Sequence, residues 1–161
     1  MAKKKYEPCR NFRRVVWKRQ EIKGRDISVG ADGSVWVLGT EKTEKGYPVK
    51  RWTGQGWEVL DQYAVRIAVD PKGNPWVIQE TGEIYFYKDG KFKLIPSKAR
   101  DISVGKEGTV YSIGWDKRKK GYPVYKWTGA AWASTSGFGN RIAVDNKGKP
   151  WVVTAKHKIY R

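Results

Sequence analysis

The chain has 161 residues, 33 of them Lys or Arg against 16 Asp or Glu, which gives a formal net charge of +17 at neutral pH. That length supports one domain with a single core. One cysteine, Cys9, excludes an intrachain disulfide, and a lone Cys beside a lone His, His157, excludes a zinc centre of Cys and His ligands from one chain.

Residues 1–10 read as a basic N-terminal tail carrying Lys3-Lys4-Lys5, and 11–161 as one domain. Met1-Ala2-Lys3-Lys4-Lys5 is not followed by the apolar core of a signal peptide, and no apolar run reaches membrane-spanning length. A cytoplasmic or particle-associated setting is therefore expected. A strand is expected over 12–22. Then come short strands over 26–30, 34–39, 47–52 and 57–60, and a second set over 66–70, 75–79, 83–88 and 91–95. A third set covers 101–105, 109–114, 122–127 and 131–134, and a last one 141–145, 150–154 and 157–161. β-branched and aromatic residues fill these runs, and Asp-Gly or Gly-containing turns separate them. No stretch carries a 3.6-residue apolar period, so no helix is expected.

The sets repeat. Asp26-Ile27-Ser28-Val29-Gly30 returns as Asp101-Ile102-Ser103-Val104-Gly105, and Arg66-Ile67-Ala68-Val69-Asp70 as Arg141-Ile142-Ala143-Val144-Asp145. Residues 26–86 overlay on 101–161 at an offset of 75 without a gap, with 30 of 61 positions identical. Two alternating steps of 40 and 35 residues, each with about four strand signals, have the size of a propeller blade. The fold expected is all-β: a β-propeller of four blades, built from two double-blade repeats. The last blade stops after Ile159-Tyr160-Arg161, one strand short. At the same offset Trp17 falls on Phe92 and Arg25 on Arg100, so the N-terminal strand is expected to complete that blade and close a monomeric ring.

The charge is uneven: residues 1–25 carry +8, 26–100 carry +1 and 101–161 carry +8. A one-sided positive field favours a polyanion, whether glycan, acidic protein or nucleic acid. The polyanion-binding candidates are Lys3, Lys4, Lys5 and the loop Lys117, Arg118, Lys119, Lys120. In that loop Trp115-Asp116 and four basic residues replace Thr40–Lys45 of the first unit.

Trp36, Trp76, Tyr111 and Trp151 lead apolar strands and are expected to pack between blades. Tyr47, Trp52 and Trp57, with Tyr122, Trp127 and Trp132 in the sister unit, lie further out. Beside Lys50, Arg51 and Lys126 they form the candidate ligand-binding residues, since an aromatic face next to a cation suits a sugar ring or a base. No nucleophile elbow, Walker sequence or dinucleotide-binding glycine pattern occurs. Asp26, Asp70, Asp101 and Asp145 recur at strand ends as turn-capping residues do, and Arg66 and Arg141, like Arg25 and Arg100 one position earlier, are placed to pair with them structurally. No catalytic residue, metal or cofactor is expected.

The grammar Ile/Val-Ser/Ala-Val-Gly/Asp before a Gly and a Val/Pro-Trp strand spans Ile27–Trp36, Ile67–Trp76, Ile102–Tyr111 and Ile142–Trp151. Trp52-Thr53-Gly54 and Trp127-Thr128-Gly129 lie between. This grammar resembles the tectonin-type β-propeller repeat. The resemblance implies a lectin-like module that binds surface glycans, or an adaptor. Two functions are thus expected in order: recognition of glycans or anionic surface polymers, then a basic scaffolding role in a larger assembly, docked on acidic protein or nucleic acid.

Overall fold

The computed structural model describes residues 16–161, and the described chain is all-β. The strands are β1 (Asp26–Val29), β2 (Val35–Leu38), β3 (Tyr47–Trp52), β4 (Trp57–Ala64), β5 (Arg66–Val69), β6 (Pro75–Ile78) and β7 (Glu83–Lys88). They continue as β8 (Lys91–Val104), β9 (Val110–Gly114), β10 (Tyr122–Trp127), β11 (Trp132–Gly139), β12 (Arg141–Val144), β13 (Pro150–Val153) and β14 (Ile159–Tyr160). Each matches an expected run to within a few residues, except that β4, β8 and β11 continue past the expected outer strands.

Turn chemistry sets the repeat. In each innermost hairpin a glycine N–H donates back to the carbonyl three residues earlier: Gly33 to Gly30, Gly73 to Asp70, Gly108 to Gly105 and Gly148 to Asp145, all near 3.0 Å. The carboxylates of Asp70 and Asp145 accept N–H groups on the far side of their turns, from Asn74 at 2.8 Å and Lys149 at 2.9 Å. The Trp-Thr-Gly sequences are turns as well. Thr53 Oγ1 donates to the Gly56 carbonyl at 3.0 Å, and Thr128 Oγ1 to that of Ala131 at 2.9 Å.

Antiparallel neighbours order the strands as β1-β2-β3-β4, then β5 through β11 in one continuous sheet, then β12-β13-β14. The continuous sheet is two four-stranded units that share β8. Its first part pairs with β7 up to Lys98, and from Ala99 it pairs with β9. Four units follow one another, each face packed on the next. The first and second bury Trp36, Leu38, Ile67 and Val77 between them. The second and third bury Trp76, Ile78, Ile84 and Ile102, and the third and fourth bury Tyr111, Ile113, Val124 and Ile142. Polar bonds cross the same interfaces. Trp36 Nε1 donates to the Gly73 carbonyl at 3.0 Å, and Ser28 and Ser103 Oγ accept the N–H groups of Val69 and Val144 at 3.1 Å.

The expected closing strand is not formed over its described part. Residues 16–22 contain no strand and Trp17 is 92% exposed; residues 12–15 lie outside the described residues. The fourth unit is a three-stranded sheet among the described residues, ending in the short, exposed β14. Trp151, expected in the core, is 40% exposed, because no unit among the described residues covers that face.

Candidate functional site

The innermost strands of successive units contact one another in turn and line an open-sided channel, each running along it from one end to the other. β1, β5, the second part of β8, and β12 all begin at the same end, and an arginine precedes or opens each: Arg25, Arg66, Arg100 and Arg141. Curvature brings them together. They line a depression of about 830 Å³ at the channel mouth, with Asp26, Lys42, Tyr47, Glu80 and Trp115 among the other wall residues. Lys42 and Glu80 are paired at 3.5 Å, so the arginines dominate the charge of the mouth.

The four fall into two kinds. Arg25 lies over the Tyr47 ring at 4.6 Å and Arg100 over that of Tyr122 at 4.4 Å. Neither makes an ion pair among the described residues, so their guanidinium donors are open to a ligand. Arg66 and Arg141 approach one carboxylate, Asp101, at 3.5 and 3.9 Å. Asp101 is buried and also accepts the Ile142 N–H at 3.0 Å. Burial pushes its carboxyl above the usual range, against the opposing pull of that N–H and the two arginines. The expected pairing of Arg66 and Arg141 with an aspartate is thus present, and it anchors half of the mouth.

Trp115 forms part of the wall, and Arg100 lies 5.7 Å over its ring. Its seat is Gly82, which has a φ of +93°, and a Cβ there would come within 2.5 Å of the Trp115 ring. The sister position is His157, at φ +57° in the equivalent turn, so the single histidine is a turn residue. Gly82→Ala should displace Trp115 and cost about 1–2 kcal/mol from the positive φ and the clash. A shift in tryptophan fluorescence with a lowered urea midpoint would check this.

Behind Trp115 a second depression of about 440 Å³ is lined by Glu83, Lys98, Arg118 and Tyr125, among others. The Thr81 hydroxyl, and then Lys98 Nζ at 2.9 Å, hold the Glu83 carboxyl down at about 2. A carboxyl depressed on folding adds stability above its unfolded pKa and loses it as pH falls through the folded one. Glu83→Gln should therefore lower the melting temperature at pH 6, and the deficit should vanish as pH approaches 2.

The structure divides the other expected ligand residues between places. Tyr47 and Tyr122 begin β3 and β10 at the mouth, whereas Trp52 and Trp57, like Trp127 and Trp132, flank turns at the opposite end. Trp127 and Trp132 pack edge-on against Trp76 at 5.6 and 6.0 Å. Trp52 and Trp57 form the same tilted pair, 5.3 Å apart, without a third ring. Lys50 pairs with Glu41 at 3.5 Å and Arg51 with Glu58 at 2.6 Å, while Lys126 lies over Tyr111 at 5.9 Å. In the 115–121 loop, Arg118 bonds Tyr125 Oη at 3.2 Å, and Lys117, Lys119 and Lys120 are exposed on the rim beside Trp115. Lys3, Lys4 and Lys5 lie outside the described residues.

Sequence reasoning treated the four arginines as structural and so missed the mouth. The signal was present: an arginine stands one or two residues before the first isoleucine of every innermost strand.

A family model described as the tectonin domain matches residues 63–161. No curated protein matches the chain. Among solved structures the fold is similar to that described as "YCF48 bound to D1 peptide", with a TM-score of 0.52 and 19% identity over 91% of this chain. The match spans about half, 51%, of that longer chain.

Proposed function

We propose, for a chain that belongs to the tectonin domain family, a non-enzymatic binding function: a lectin-like module that holds acidic glycans or other anionic polymers at the mouth of its channel. One observation carries this reading, the convergence of Arg25, Arg66, Arg100 and Arg141 from four successive units on one depression. Guanidinium groups match carboxylate, sulfate and phosphate with paired hydrogen bonds. Tyr47 and Trp115 in the same wall hold the Arg25 and Arg100 guanidinium groups over their rings, which positions that charge for a ligand. The exposed lysines of the 115–121 loop would extend the contact along a polymer. Asp101, the buried carboxylate beside the arginines, is tied to a backbone N–H and to two of them, which suits an anchoring role.

A second reading, docking on an acidic protein segment within a larger assembly, draws support from the structural neighbour, which is described with a bound peptide. Calorimetric titration with sulfated oligosaccharides, neutral oligosaccharides of equal length and an acidic peptide, each at two salt concentrations, separates the two. The lectin reading expects sugar-dependent affinity for the sulfated series beyond that of a peptide of equal charge. Equal affinity at equal charge, collapsing with salt, would leave only a polyanion surface.

A further inference from the structure

The repeat leaves its two ends matched. The outer face of the first unit carries Ile27, which is 63% exposed, while its counterpart Ile102 is 6% exposed under the second unit. The outer face of the fourth unit carries Trp151 and Ile159, exposed by 40% and 67%, whereas their counterparts Trp76 and Ile84 are 3% and 0% exposed under the third unit. Two apolar faces thus lie open among the described residues, and they are the two sides of an interface the molecule already makes between its second and third units.

The match extends to detail. Trp76 fits against the tilted pair Trp127–Trp132, and the equivalent pair Trp52–Trp57 stands on the first unit with nearly the same geometry, 5.3 against 5.2 Å between centroids and 56° against 58° between planes. The socket for Trp151 is therefore formed in advance. Arg66 reaches Asp101 across the internal interface, and the corresponding residues at the open ends are Arg141 and Asp26, so the charges are complementary too. The four units also correspond to about half of the longer chain with which they share their fold.

We propose that a second copy of this chain covers both faces, with Trp151 of each copy seated between Trp52 and Trp57 of the other. Two copies related by a two-fold axis along the channel then close one ring, with two identical seams. The internal second–third interface supplies the packing at each seam, and the mouth arginines of both copies surround one channel. The inference stands apart from the choice of ligand, since it rests on the ends of the repeat alone.

Light scattering on the 161-residue chain, together with the Ile27→Asp and Trp151→Glu variants, tests it. The wild type should have twice the single-chain mass of 18.5 kDa. Each variant should weaken self-association about a hundredfold or more, because each places a charge in both seams. Ile27 and Trp151 are exposed in the single chain, so the β signature in circular dichroism should survive. Because like-charged chains repel, raising salt should tighten the dimer. A wild-type mass of one chain at micromolar concentration would overturn the proposal, as would a heterogeneous series of larger masses or an unchanged mass in both variants.

Discussion

Trp76→Ala should destabilise the chain by about 3–5 kcal/mol, the usual cost of emptying a large aromatic from a core. Trp76 is almost fully buried, stacks on Phe86 at 4.5 Å and meets Trp127 and Trp132 edge-on, so its removal opens a hole that none of the short strands around it can collapse to fill. It also sits at the centre of the chain, between the second and third units, where each half of the repeat finds its partner. Against a total stability of about 5–15 kcal/mol for a domain, that loss is a large fraction. Urea unfolding followed by tryptophan fluorescence should show a midpoint shifted far down or no folded baseline. A loss below about 1 kcal/mol would mean that the interface between the units contributes little.

The second large effect is expected at the mouth. Arg25 and Arg100 carry no ion pair among the described residues and rest on tyrosine rings, so replacing them removes ligand-facing charge without orphaning a buried carboxylate. The double variant Arg25→Gln/Arg100→Gln should weaken binding of a sulfated oligosaccharide about a hundredfold or more. Each hydrogen bond to a charged group contributes about 1.5–3 kcal/mol. Lys147→Gln/Lys149→Gln removes the same charge from a turn at the other end of the channel and should cost about threefold or less, through the long-range field alone. Calorimetric titration of the three proteins at one salt concentration checks both numbers. Equal losses in the two double variants would assign binding to net charge.

Arg66 and Arg141 call for different treatment. Both approach Asp101, a buried carboxyl whose ionised form already suffers from burial. Removing either arginine costs stability as well as affinity, because it leaves the buried carboxylate with less compensating charge.

Much of the fold was legible because its signals are local. Asp-Gly and Thr-Gly turns, β-branched alternation and the offset of 75 residues placed the strands to within a few residues. The three outer strands were expected, but their continuations were missed because residues such as 135–137 and 97–99 are small or polar and give no apolar alternation. The closing strand was inferred from phase, with Trp17 on Phe92. Phase marks a position in the repeat and does not supply a partner, and the described part of that segment is unpaired.

The candidate site was less legible, for a geometric reason. Tyr47 and Trp52 lie five residues apart, and a strand of that length separates its ends by about 16 Å, which places them at opposite ends of the channel. The arginines, by contrast, are 34 or 41 residues apart in sequence and meet only because the units curve around an axis.

The most direct test of the binding site is an amide-resolved NMR titration of the uniformly ¹⁵N-labelled chain with a sulfated oligosaccharide. The account predicts shifts concentrated at the mouth, on Arg25, Asp26, Val65, Arg66, Asn140 and Arg141 and on Lys117–Gly121, with the Thr53–Gly56 and Thr128–Ala131 turns unmoved. Shifts centred on those two turns, with the mouth silent, would contradict it.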